Sequence, residues 1–366
     1  MSDRGETVER TIGQPQYEEV GEFPVERGYI WTTCSSVENA NPLFWDDAVA
    51  AEITDGPIAP PTMLSVWFRP HNWSPGRSEP AVPLQVHFDL KAHYGLPEAV
   101  ISDNTIVFHD PVRIGDVITS RQVLRSVSDP KTTKLGPGRF WVIDVEYVNQ
   151  RGDLVGVESY TGFGYRRGEG AHGGEGMAQS ASKASSQTLE PGPERPGPQG
   201  RERAAVLDDV QPGDTLPELR HDVSASTIVL GALASRDWRP MHHDFKFATE
   251  RNGVADIFLN TPNQAAWFER YVTDWAGPRA RLGRMTFRMK TSIFPGDRMD
   301  FAATVTGVDA DDVGQGWATL EVTLTATATD GRDPAPRLAS TCTVRVALPA
   351  DAADNPWSRR GDQWVP

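Results

Sequence analysis

Asp237-Trp238-Arg239-Pro240-Met241-His242-His243-Asp244, followed by Ala248 and Gly253, is the stretch around which this chain is organised. It sets a carboxylate five positions ahead of an imidazole, with a proline holding the turn between them. An apolar run from Asp256 to Tyr271 follows directly. A neutral imidazole both takes and gives a proton near neutral pH. An ionised Asp237 can orient that ring or bind the same water. The pair suits addition of water to an activated double bond, or its reversal. Asp and His flanking a proline turn also serve as helix caps and as partners for backbone donors, and spacing alone does not separate these uses. Asp244 fits the cap of a helix carrying Phe247 and Ala248. The mix of polar ligand types raises a metal site, but His242 and His243 point apart in most local geometries and no third ligand clusters with them. No metal is expected.

The pattern occurs twice. Asn41-Pro42-Leu43-Phe44-Trp45-Asp46 lines up with Arg239-Pro240-Met241-His242-His243-Asp244, and Ala50 with Ala248. Ile114-Gly115-Asp116 lines up with Pro295-Gly296-Asp297, each ahead of a strand. A repeated order of turn motif, helix, strand, Gly-Asp turn and strands marks a duplicated domain. Two equivalent domains should pack as an internal pseudo-dimer about a two-fold axis. The copies differ where chemistry would sit: Asn39 stands for Asp237 and Phe44 for His242. Asn is no carboxylate base and Phe moves no protons. The first copy therefore reads as a substrate-binding half and the second as a reactive half.

The length, 366 residues, suits two domains with cores of their own. Residues 10–165 hold a short helix at 46–52, an apolar helix at 62–68 ended near Pro70, and strands at 105–109, 117–127, 139–148 and 154–164. Leu84, Val86, Phe88 and Leu90 alternate with polar residues, which predicts another strand. Residues 166–203 are rich in Gly, Ser and Pro and read as a flexible tether. Residues 204–350 hold a helix capped by Ser226 or Thr227, a second helix within 256–275, and strands at 285–294, 299–308, 317–329 and 338–348. Residues 351–366 form a polar tail in which Trp357, Trp364 and Val365 can dock. Few helices and many long strands predict antiparallel α+β domains.

The net charge of -14, without a basic stripe, argues against nucleic acid as a partner. No run approaches a membrane span, no signal core opens the chain, and two distant cysteines, Cys34 and Cys342, match no metal spacing. The expected location is the cytoplasm. Asn260 and Thr261, with Pro262 behind them, open the long helix, where backbone N–H groups could hold a thioester oxygen as negative charge grows on it. Simple capping is the plainer use of the same residues. Arg279, Arg281, Arg284 and Arg288 cluster in an acidic chain and could meet phosphates of a carrier such as coenzyme A, or solvate the surface.

The residues resemble those of the MaoC-like dehydratase and (R)-specific enoyl-CoA hydratase family, in its fused double-hotdog form with a FAS1-type dehydratase-like first half. The family's motif runs Asp, any residue, Asn, Pro, an aliphatic residue, His, then often His-Asp and a later Ala. Those places are Asp237 to Asp244 and Ala248 here. Asp256-Ile257-Phe258-Leu259-Asn260-Thr261 is similar to the family's entry to its central helix. Gly56-Pro57-Ile58-Ala59-Pro60-Pro61-Thr62 is similar to the non-catalytic half of fused members.

The resemblance implies two curved antiparallel sheets, each wrapped around a central helix. It implies that Asp237 and His242 activate water for addition to a trans-2-enoyl-CoA, giving the (R)-3-hydroxyacyl thioester without a cofactor. His243 and Asp244 would support the site. Fused members with a degraded first half are similar to hydratases for bulky acyl groups, including steroid side chains. Phe44, Trp67, Phe68 and Trp73 are the candidate tail lining. Arg239 departs from the pattern: it replaces the Asn that supports the pair, and it can instead bind Asp237 or reach a phosphate. The rival readings are a non-catalytic acyl-CoA-binding or scaffolding subunit and an acyl-CoA thioesterase. A homodimer of double-hotdog chains is compatible with all three.

Overall fold

The computed structural model describes residues 10–76, 84–166 and 205–366. Nearly all of the 166–203 stretch read as a tether lies outside the described residues. Eleven strands form one antiparallel sheet: β1 (Pro15–Val20), β2 (Glu98–Phe108), β3 (Thr119–Val127), β4 (Lys131–Thr133), β5 (Gly136–Val148), β6 (Leu154–Tyr165), β7 (Leu219–Asp222), β8 (Arg281–Met289), β9 (Asp297–Ala310), β10 (Gly316–Ala328) and β11 (Arg337–Leu348). Their order is β1-β3-β5-β6-β2-β8-β11-β10-β9-β7, with β4 paired to β5 alone. The list is symmetric about its middle. Each half contributes five strands in matching sequence, and β2 pairs β8 across the join. Thr105 faces Thr286 there, with their hydroxyls 3.0 Å apart, so the pseudo-two-fold axis passes between two threonines.

The repeat read from the sequence recurs in the hydrogen bonds. Gly115 N–H donates to Val25 and Gly296 N–H to Val223, each at 2.8 Å. The carboxylates of Asp116 and Asp297 accept from Arg113 N–H at 2.8 Å and Phe294 N–H at 2.9 Å. Both glycines have positive φ, 88° and 80°, which suits a residue without Cβ. The protein is a double hotdog of α+β class.

In the second half the sheet wraps a central helix, Thr261–Ala276. The Asn260 side chain caps it by accepting from Asn263 N–H, Pro262 lies in its first turn, and Gly277 ends it. Trp267, Phe268 and Val272 are fully buried and each contributes roughly 2 kcal/mol of burial free energy. The helix also buries polar residues, because its other side meets the first half. Asn263 donates to Ser36 Oγ at 3.1 Å, Arg270 to the Val37 carbonyl at 2.8 Å, and Glu269 accepts from Thr62 N–H at 3.0 Å. The helix Ala225–Ala234 crosses close by. A Cβ on Gly231 would lie 2.5 Å from Asn263 Cγ, so only glycine fits there.

Among the described residues the first half has no such continuous helix. A six-residue 3-10 segment, Pro61–Val66, takes the start of its place, and a separate helix follows at Gln85–Tyr94. Prolines at 60, 61, 70 and 75 explain the break. The second helix corrects the strand expected at Leu84–Leu90. Val86 and Leu90 stand four apart and pack on Leu124, Trp141 and Ile143, while Phe88 is exposed. Alternate positions in a short window also contain an i, i+4 pair, and here the helical spacing prevails. The apolar helix expected at 62–68 is the 3-10 segment. Ser224, rather than Ser226 or Thr227, caps Ala225–Ala234, with Thr227 completing a capping box.

The tail docks. Trp364 Nε1 donates to Phe108 O at 2.7 Å, and Trp357 Nε1 to Pro278 O at 3.1 Å. Among the described residues no helix is long and apolar enough to cross a membrane.

Candidate active site

The turn after Ala225–Ala234 carries Asp237, and a 3-10 turn, Pro240–His242, carries His242. Both side chains are 3% exposed. His242 Nε2 lies 3.5 Å from Asp237 Oδ2. His242 Nδ1 lies 2.8 Å from the Phe258 carbonyl, which can only accept, so Nδ1 carries the ring's proton. The neutral ring then turns an unprotonated Nε2 toward the carboxylate. Burial lowers the pKa of His242, against the raising effects of Asp237 and the Phe258 carbonyl, so the ring is neutral at pH 7.

Asp237 is ringed by donors. Arg239 Nε donates to Oδ1 at 3.0 Å and Nη2 to Oδ2 at 3.1 Å, although the Arg239 side chain is 63% exposed. Asn260 Nδ2 adds 3.1 Å to Oδ2 and also donates to Ser235 Oγ at 2.6 Å. Arg69, from the first half, approaches Oδ2 at 4.0 Å and donates to the Ser235 carbonyl at 3.3 Å. Burial opposes ionisation of Asp237, but the Arg239 hydrogen bonds and the charges of Arg239, Arg69 and His242 overrule it. They hold the carboxyl well below its ordinary range.

The first half reaches this site through Arg69 and Pro70 and through Phe23. Arg236 donates to the Arg69 carbonyl at 2.8 Å and stacks on Phe23, while Trp238 donates to the Pro70 carbonyl at 2.9 Å. Arg69, Ser235 and Phe258 were not singled out in the sequence. Their contributions are a cross-domain cation, a hydroxyl at a helix end and a backbone carbonyl, none of which has a local motif.

Asn260 meets Asp237 through its side-chain amide, a contact additional to the backbone role read for it. The Thr261 N–H belongs to the first helical turn, which has no acceptor within the helix. Asp244 accepts from Phe247 N–H at 3.0 Å as a cap, and His243 is exposed. Among the described residues no three His, Cys, Asp or Glu group as a metal site.

Four sequence expectations change. Arg281 is 1% exposed, donates to the carbonyls of Pro356, Arg359 and His109, and lies 3.6 Å over Trp364. It fastens the tail, and its donors are taken up by those three carbonyls. Arg279 pairs with Glu52 beyond the far end of the central helix. Sixteen residues at about 1.5 Å each put that end roughly 24 Å from Asn260. Trp67 is fully buried against Phe23 and Tyr29, and Trp73 is 72% exposed. Phe44 is buried at the His242-equivalent place, and Phe68 is half-buried beside Tyr147. Arg284 and Arg288 are exposed on the outer sheet face, with Arg288 bonded to Asp103.

The fold is that of a double hotdog. Residues 10–157 match the FAS1-like dehydratase domain region. The chain is 38% identical over 97 residues, 74% of the relative's length and 26% of its own, to the 3-oxo-4,17-pregnadiene-20-carboxyl-CoA hydratase beta subunit of Mycobacterium tuberculosis. It is 29% identical over 155 residues, 42% of its own length, to a probable enoyl-CoA hydratase alpha subunit of Thermomonospora curvata, of which the match spans 48%. A solved MaoC-like dehydratase superposes with a TM-score of 0.61 over 93% of this chain and 99% of that one, at 17% identity, which bears on the fold alone. The chain belongs to the MaoC-like hotdog dehydratase family.

Proposed function

We propose that the protein reversibly hydrates a trans-2-enoyl-CoA to the (R)-3-hydroxyacyl-CoA, with bulky acyl chains, steroid-derived ones included, among its substrates. One observation carries this reading. An ionised carboxylate oxygen and an unprotonated imidazole nitrogen face each other at 3.5 Å, and both are acceptors. Their shared need is a donor with two hydrogens, which is a water molecule. As that water's oxygen bonds to the β-carbon, His242 Nε2 takes one of its protons. The thioester oxygen carries the negative charge in the meantime, polarised by the N–H groups at the start of the central helix. The proton then passes to the α-carbon, so water is added without remainder. Asp237 stays ionised and orients the water. The relatives named as CoA hydratase subunits support the substrate class.

The bidentate Arg239–Asp237 pair favours a second reading, a non-catalytic acyl-CoA-binding subunit. Hydration of crotonyl-CoA and longer enoyl-CoAs separates the two. Asp237→Asn and His242→Ala should each lower kcat by about 100- to 10,000-fold. Unchanged turnover sinks the catalytic assignment. A wild-type protein that binds acyl-CoA tightly and turns nothing over supports the binding reading.

A further inference from the structure

The concave face of the first half carries a polar patch that the second half lacks. Asn104 on β2, Tyr147 on β5, and Glu158 and Tyr160 on β6 share that face. The register places Asn104 beside Tyr160, and Ile106 and Val145 beside Glu158. Rotating about the Thr105–Thr286 axis gives the matching places on β8, β10 and β11: Met285, Leu324, Cys342 and Val344. These four are fully buried apolar residues of the core. The same face is therefore apolar where the unbroken central helix covers it and polar where that helix is broken.

Glu158 and Tyr160 bond to each other, and Ser65 and Tyr147 also face the Glu158 carboxyl, but the patch keeps hydrogen-bonding capacity to spare. Asn104 Oδ1, Tyr147 Oη and Arg69 Nε are buried without a hydrogen bond of good geometry, Tyr147 lying near Glu158 and Asn104 near Tyr160. Asn104 is 6% exposed and Tyr147 fully buried. Buried polar atoms left in this state each cost free energy comparable to a lost hydrogen bond. Arg69 joins the patch to the candidate dyad, since its Nη1 is 4.0 Å from Asp237 Oδ2. Phe68 lies against Tyr147 at 5.5 Å between ring centroids and supplies an apolar border.

We propose that this patch is a specificity site for an uncharged oxygen function, a hydroxyl or a ketone, carried on the acyl chain beyond the double bond. Tyr147 donates to that oxygen, Arg69 Nε stands beside it as a further donor, and Asn104 Oδ1 accepts from a hydroxyl. A carboxylate would meet Glu158 and is disfavoured. The inference rests on the hydratase reading for its choice of acyl-CoA, but its test does not.

The test uses saturated acyl-CoAs of one chain length, which cannot be hydrated, either plain or bearing a hydroxyl or keto group at successive carbons. Calorimetric Kd values are measured for the full chain and for Tyr147→Phe and Asn104→Leu. Tyr147→Phe removes the hydroxyl that faces Glu158 and keeps the ring packed on Phe68, and urea unfolding of the variant checks that the fold is retained. At one position the oxygenated chain should bind about 10-fold tighter than the plain one. Tyr147→Phe should remove most of that preference while moving the plain chain's Kd far less. Asn104→Leu should act on the hydroxyl more than on the ketone. No positional preference in the wild type, or equal weakening of both chains in the variants, overturns the proposal and leaves only water in the patch. A preference in Kd from a protein that hydrates no enoyl-CoA keeps the site and removes the hydratase reading.

Discussion

Arg239 spends a planar, two-pronged cation on a carboxylate that also has Asn260, Arg69 and His242 around it. A two-pronged guanidinium is the strongest common partner for a carboxylate, so this residue sets how basic Asp237 is. Arg239→Asn restores the family's residue and should raise the pKa of Asp237 by removing its main lowering partner. The acid limb of the kcat/KM profile should then move to higher pH, while kcat at neutral pH rises. A profile identical to wild type would show that Arg239 already leaves Asp237 when substrate binds. The sign for stability is the same. A depressed carboxyl pKa stabilises the fold above the ordinary value near 3.8 and loses that contribution as pH falls toward the folded value. Arg239→Asn should therefore flatten acid unfolding. The closeness of Asp237 and His242 was legible in sequence, because both lie within one short motif. The cation from Arg69 was not, since it arrives from 168 residues upstream through packing alone.

At the scale of the element, the central helix carries a carboxyl that is costly to keep. Glu269 is 1% exposed, bonded through one oxygen to Thr62, and burial raises its pKa from 4.5 to about 7. A raised acid pKa means that stability is present below 4.5 and is lost as pH climbs to about 7. Glu269→Gln has no such titration and retains an oxygen for the Thr62 N–H. Its stability relative to wild type, from urea unfolding, should rise by roughly 3 kcal/mol between pH 4.5 and pH 8. A constant difference across that range would show that the carboxyl is solvated. The element also shows where sequence reading failed and why. The helix Thr261–Ala276 announced itself by caps and length. Gln85–Tyr94 did not, because four alternating apolar residues fit a strand as well as a helix until the partners Trp141 and Ile143 are known.

Across the whole molecule, the tail clamps one half to the other. Arg281 of β8 bonds the carbonyls of Pro356 and Arg359 in the tail and of His109 in the first half, with Trp364 beneath it. Trp364→Ala removes a buried ring and its bond to Phe108, and should cost about 3 kcal/mol in global unfolding. A loss confined to local exchange near the tail would show that the clamp is peripheral. Duplication was readable from the paired motifs. The join was not, because β2 and β8 carry no motif that names them as partners.

That join has a kinetic and thermodynamic corollary. Thr105 and Thr286 belong to one polypeptide, so closing the edge between the two sheets is a first-order event. A hotdog pair built from separate chains falls apart on dilution, whereas here the seam's population is the same at nanomolar as at millimolar protein.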